Sequence, residues 1–166
     1  MKPFRKILVP VDFSPHSARA VRVAAELARC NEGTLDLLYV YDPVAYPLPE
    51  GYVLLTPQQL ERLFAEIQQR LGEMKALALA EGAVRVETHL RQGVADADIC
   101  QFARTGHFDL IVMGTHGRRG LSHALLGSVA ERVLRAAPCP VLTLRAEYAA
   151  PEKNPREPAD CCAPHA

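Results

Sequence analysis

The sequence predicts an α/β domain, a doubly wound parallel sheet with helices on both faces. Three observations carry this. Five short apolar runs alternate with four helical patterns over most of the chain. The first run, Lys6 to Val11, is nearly all β-branched or aliphatic, as a strand covered on both faces requires. Between the fourth run and the last helical pattern lies GTHGRRGLSHALLGS, Gly114 to Ser128, a glycine-rich connection from strand to helix.

The elements follow in order. The first strand is Lys6 to Val11. Ser14-Pro15 supply an N-cap and a first helical position. The helix they open sets Val21, Ala24, Ala25 and Ala28 on one face and stops between Asn31 and Gly33. The second strand is Leu35 to Tyr41. Residues 42–56, with three prolines and two tyrosines, read as a long loop. Thr56 with Gln59 is a capping box. It starts a long helix whose apolar stripe is Leu60, Leu63, Phe64, Ile67, Leu71 and Met74, and Gly82 ends it. The third strand is Val84 to Leu90. A third helix follows Gly93, turns Ile99, Phe102 and Ala103 inward, and stops at Gly106. The fourth strand is Leu110 to Met113, the fourth helix runs from about Ser128 to Ala136, and the fifth strand is Val141 to Leu144.

Bulk properties exclude several classes. At 166 residues the chain is long enough for one domain with its own core. Its 19 basic and 19 acidic residues balance, which argues against a general nucleic-acid binder. No apolar run reaches membrane-spanning length. The N-terminal apolar run is short and meets Pro10 and Asp12 at once, so it reads as a strand and not a signal peptide. A cytoplasmic setting is expected. Of the five cysteines, Cys30 and Cys100 are expected as small apolar fillers on helices, and Cys139, between two prolines, as packed. Asp160, Cys161, Cys162 and His165 do not make a metal site, because adjacent cysteines chelate one ion poorly. From about Ala149 the chain has four prolines in 18 residues and little aliphatic content. The expected organisation is a folded domain over 1–147 and a disordered, Pro-rich tail over 148–166.

The glycine loop suits an anion. Glycines let backbone N–H groups turn inward, and a helix N-terminus adds unpaired donors and a positive dipole end. The loop carries Arg118 and Arg119 and no acidic residue, so phosphate is the natural guest. In open parallel sheets, ligands sit outside the carboxyl ends of strands where the strand order reverses. With the order 3-2-1-4-5, that reversal joins Pro10-Val11-Asp12 to Met113-Gly114. Val11, Val40 and Met113 would flank a flat ring, and Asp12 would accept hydrogen bonds from a ring amine or a ribose hydroxyl. Plainer readings stand beside these. Ser128 with Glu131 is also a capping box, Asp12 also suits a cap of the first helix, and Arg118 and Arg119 also suit a solvated loop face. His116 and His123 flank the crevice, while His89 and His107 lie elsewhere. No GxxxxGK[ST] motif is present, and no water-positioning base can be named, so binding without efficient cleavage is the chemistry implied.

Three segments carry a resemblance. They are Ile7-Leu8-Val9-Pro10-Val11-Asp12 with Ser14, then Gly114-x2-Gly117-x9-Gly127-Ser128, then Pro138-Cys139-Pro140-Val141-Leu142. Together they resemble the universal stress protein family, ATP-binding type, over roughly residues 4–146. The resemblance implies a Rossmann-like sheet of order 3-2-1-4-5 that binds ATP, with Mg2+ carried by the nucleotide. It implies a nucleotide-binding set of Pro10, Val11, Asp12, Val40, Met113, Gly114, Thr115, His116, Gly117, Arg118, Gly127, Ser128 and Val129. It further implies a homodimer through residues 140–145 and a role as a nucleotide-dependent stress-response switch. A slow ATPase or autophosphorylating enzyme, and a nucleotide-independent interaction module, are the alternatives. No catalytic residue and no metal ligand are assigned.

Overall fold

The structure, a computed structural model, describes residues 4–41, 46–48, 51–53, 56–115 and 127–145. Its elements are β1 Lys6–Pro10, α1 Pro15–Cys30, β2 Thr34–Tyr41, β3 Tyr46–Leu48, β4 Gly51–Val53, α2 Pro57–Ala80, β5 Arg85–Gln92, α3 Ala95–Thr105, β6 Leu110–Gly114, α4 Ser128–Ala136 and β7 Val141–Leu144. Among the described residues, five strands form one parallel sheet of order β5-β2-β1-β6-β7. Counted along the chain within that sheet, this is 3-2-1-4-5, as the sequence predicts.

One expected loop is partly a hairpin. Within residues 42–56, β3 and β4 pair antiparallel, with Tyr46 opposite Val53 and Leu48 opposite Gly51. Each strand has three residues, too few to show a period-two pattern, though their tyrosines favour extended structure.

Strand side chains alternate between two helical layers. Ile7, Val9 and Val11 face a core shared with Ala20, Ala24 and Ala28 of α1 and with Ile67 and Leu71 of α2. Leu8, Leu38 and Ile111 face a second core with Ile99 and Ala103 of α3 and Val133 of α4. The alanine face of α1 lets that helix lie close on the sheet. Phe102 is only half-buried, at the margin of the second core.

Two apolar expectations fail. Leu60 and Leu63 remain 38% and 37% exposed, although they share a stripe with buried Ile67 and Leu71. The reason is length. A helix of 24 residues spans about 36 Å, whereas strands of five to eight residues span roughly 17–27 Å, so α2 outruns the sheet it covers. Cys30 is exposed, not a core filler. The buried stripe of α1 runs through Ala20, Ala24 and Ala28, and a residue two past Ala28 points away from it. Cys100 is buried as expected, and Cys139 is half-buried. Burial pushes both thiols above the ordinary cysteine range, helped at Cys139 by the Asp109 carboxylate. Both are packed rather than reactive.

Local chemistry sets the helix ends. Ser14 caps α1, its Oγ accepting from Ser17 N at 3.3 Å. At α2 both bonds of the capping box form, Gln59 N to Thr56 Oγ1 at 3.3 Å and Thr56 N to Gln59 Oε1 at 2.9 Å. Gly82, just past α2, has φ +94°, which glycine adopts without strain. At Gly33 the constraint is space, since an added Cβ would lie 2.7 Å from the Arg5 carbonyl oxygen.

Two outcomes follow for stability. Gly33→Ala forces two backbones apart and should cost about 1–3 kcal/mol in urea unfolding; an unchanged midpoint would contradict that close approach. Ser14→Ala removes the α1 cap and should cost about 1 kcal/mol in the same assay. Equal stability of that variant would show that the first turn does not depend on the Ser14 hydroxyl.

Candidate functional site at the strand-order reversal

β1 and β6 are neighbours, yet the helices that follow them lie on opposite faces. α1 packs in the core beneath β1 with α2, and α4 packs in the core with α3. The carboxyl ends of β1 and β6 therefore meet at the point where connections diverge, which opens a crevice in this class of sheet.

At the β1 end, Val11 N donates to Leu38 O at 2.9 Å, which extends the sheet one residue past Pro10. The chain then turns sharply. Phe13 has φ +63°, a left-handed conformation that costs energy for a bulky residue. Its ring stacks on Tyr39 with centroids 4.6 Å apart, and the Arg70 guanidinium lies 5.6 Å from the Phe13 ring centroid. Asp12, half-buried, is fixed by this turn. Its Oδ1 accepts from Ser14 N at 3.1 Å and from Ser14 Oγ at 2.6 Å. Asp12 thus braces the residue that caps α1 and does not cap the helix itself.

At the β6 end, Gly114 serves packing. An added Cβ would sit 2.9 Å from His16 Cβ and 3.2 Å from the His16 backbone carbon, so only glycine lets the first turn of α1 approach this closely. Thr115 is buried, and its N and Oγ1 both donate to Leu144 O, at 2.9 and 3.2 Å. Gly127 N donates to Thr115 O at 2.7 Å, which joins the two ends of the glycine loop. Arg19 Nη1 donates to Arg145 O at 2.6 Å and ties α1 to the chain after β7. Of the predicted set, His116, Gly117 and Arg118 lie outside the described residues, as do Arg119, His123 and the tail 148–166.

Gly127 is the N-cap of α4, with φ −61° and ψ 145°, and no side chain caps the helix. The Ser128–Glu131 capping box does not form. Ser128 is already the first helical residue, and the Glu131 carboxylate accepts from Arg135 Nη2 at 2.8 Å. Ser128 is exposed and Val129 half-buried. The first turn of a helix presents N–H donors without intrahelical partners.

The apolar residues are split. Val11 belongs to the core beneath α1 and α2, whereas Met113 and Val40 belong to the core beneath α3 and α4. They edge the reversal from opposite faces and do not form one apolar wall. The sequence reading missed the Phe13–Tyr39 stack and, away from the crevice, a hydrogen bond of 2.6 Å between His89 Nε2 and Asp36 Oδ1. The signal for the second was Asp36 itself, one charge inside the apolar strand Leu35 to Tyr41.

The relatives agree with this architecture. The model of the Universal stress protein family matches residues 3–145. A universal stress protein of Methanocaldococcus jannaschii is 37% identical over 145 residues, covering 86% of this chain and 82% of the relative. Universal stress protein UspA from Lactobacillus plantarum is 29% identical, with a TM-score of 0.73 over 86% of this chain and 98% of that one. A universal stress protein solved in complex with cAMP is 26% identical, with a TM-score of 0.67 over 86% of this chain and 98% of that one. One from Archaeoglobus fulgidus in complex with dAMP is 26% identical, with a TM-score of 0.61 over 85% and 98%. With its fold, its strand order and 143 of its 166 residues so matched (3 through 145), the chain belongs to the universal stress protein family.

Proposed function

We propose that this chain binds an adenine nucleotide, ATP with its Mg2+ in the first instance, at the β1–β6 reversal and acts as a nucleotide-dependent stress-response switch. The observation that carries the reading is the bond from Gly127 N to Thr115 O. It closes the glycine loop at its base and leaves the uncapped start of α4 at the same sheet edge as Asp12. Backbone donors and a positive dipole end there suit phosphate. In this reading Gly114, Thr115, His116, Gly117, Arg118, Gly127, Ser128 and Val129 meet the phosphates and ribose. Pro10, Val11 and Asp12, with Val40 and Met113 behind them, meet the nucleoside. The cAMP and dAMP complexes of two related folds support the ligand class.

The same geometry favours a switch over an efficient enzyme. Asp12 Oδ1 already accepts two hydrogen bonds from Ser14, which suits a fixed acceptor better than a base that takes a proton from water. At most, slow hydrolysis is expected. The assembly proposed is a homodimer through β7. That strand ends the sheet, and its four residues are all half-buried. The folded unit assigned is 1–147, in the cytoplasm. No helix among the described residues is long and apolar enough to cross a membrane.

Calorimetry with ATP-Mg, AMP and cAMP tests the site. Wild type should bind at least one of them, and Gly127→Val, if folded by circular dichroism, should bind at least about tenfold more weakly, or about 1.4 kcal/mol. Failure of wild type to bind any adenine nucleotide would leave an interaction module. Phosphate release that disappears with Gly127→Val would instead favour the slow ATPase. Sedimentation should find a dimer that Leu142→Arg converts to monomer; a wild-type monomer would remove β7 as the interface.

A further inference from the structure

We propose that Asp36, Glu87 and His89 form a site for one divalent transition-metal ion of the zinc class. It lies on the α3 face of the sheet and is independent of the nucleotide reading. Each residue offers one ligand atom, and these atoms all lie within 4.8 Å of one another. The sheet register builds the cluster. Asp36 of β2 and Glu87 of β5 are direct partners, and His89 stands two residues along β5 on the same face.

The two carboxylates converge on one imidazole nitrogen. The Asp36 side chain is only 8% exposed, and among the described residues its one hydrogen bond is with His89 Nε2 at 2.6 Å. Glu87 Oε2 lies 3.9 Å from that same nitrogen. One imidazole nitrogen carries at most one hydrogen, so it serves one carboxylate well and not two. A divalent cation can meet both carboxylates and the imidazole at once. Carboxylate oxygens and imidazole nitrogen are both zinc ligands, and three of them leave a fourth position for a water. Around tetrahedral zinc such atoms stand about 3.4 Å apart, and the observed 2.6 and 3.9 Å bracket that spacing.

The surroundings are compatible. The Phe102 ring packs against His89 with centroids 4.8 Å apart and orients the imidazole. The nearby cations are directed elsewhere. Lys6 Nζ donates to Gly106 O at 2.8 Å, and the Arg91 guanidinium lies 5.5 Å from the Phe102 ring centroid. Arg85 is exposed on the same strand face. The Glu87 side chain is 76% exposed, so an ion reaches the site from solvent without opening the core.

The test is a calorimetric titration of Zn2+ alone into the full chain carrying C161S and C162S, which removes the adjacent tail thiols. One ion per chain should bind, and His89→Gln and Glu87→Gln should each weaken it at least about tenfold. Glu87 is exposed enough that its variant should fold even if His89→Gln does not, as thermal melting will tell. Co2+ in place of Zn2+ should give visible absorption bands without a thiolate charge-transfer band. Absence of Zn2+ binding, binding unchanged in Glu87→Gln, or a thiolate band from Co2+ would each overturn the proposal.

Discussion

The parallel pairing of β1 with β2 on one side and β6 on the other is the constraint on which the rest depends. β1 is short, five residues, but Ile7, Leu8 and Val9 are wholly buried, so its position admits little slippage. Its start is fixed by polar contacts. Asp109 Oδ2 accepts from Lys6 N at 2.9 Å and Arg5 N at 3.1 Å, and Asp109 N donates to Lys6 O at 2.9 Å. Once that end is anchored beside β6, the other ends of both strands must emerge together, and the crevice follows from their helices departing to opposite faces.

A chain of hydrogen bonds then carries position from β7 to the glycine loop. Leu144 O holds Thr115, and Thr115 O holds Gly127, so the edge strand, the end of β6 and the start of α4 form one linked unit. This gives a physical route by which occupancy of the loop and pairing at β7 would influence each other, since both act on the same short run of backbone. The strained Phe13 turn belongs to the same edge. Its cost is offset by the Tyr39 stack and the Ser14 bonds, and its effect is to fix where the Asp12 carboxylate lies.

Much of this was legible in the sequence because it rests on local rules. Short apolar or alternating runs marked the five sheet strands, and Ser14-Pro15 and Thr56 with Gln59 marked two helix starts that the structure bears out. The glycine spacing marked the stretch whose two ends, Thr115 and Gly127, are joined by a hydrogen bond. What escaped was set by tertiary geometry. The role of Gly114 as the gap that admits His16 depends on a helix nearly a hundred residues earlier in the chain. Gly127 rather than Ser128 became the cap of α4 because its own N–H bonds to Thr115 O, and that bond has no sequence signature. The exposure of Leu60 and Leu63 reflects how far α2 extends, and the juxtaposition of Asp36 with His89 required knowing which strands pair and in what register.

The proposed nucleotide site at the β1–β6 reversal is open to a direct test in solution. The most direct measurement is an amide chemical-shift map of the full chain, recorded by two-dimensional NMR as cAMP or ATP-Mg is added. The largest changes should fall together on Asp12, Gly114, Thr115, Gly127 and Ser128, with residues at the opposite, amino ends of the strands unmoved. Saturable shifts confined to α2 or to the β5 edge, with those five amides unchanged, would contradict it.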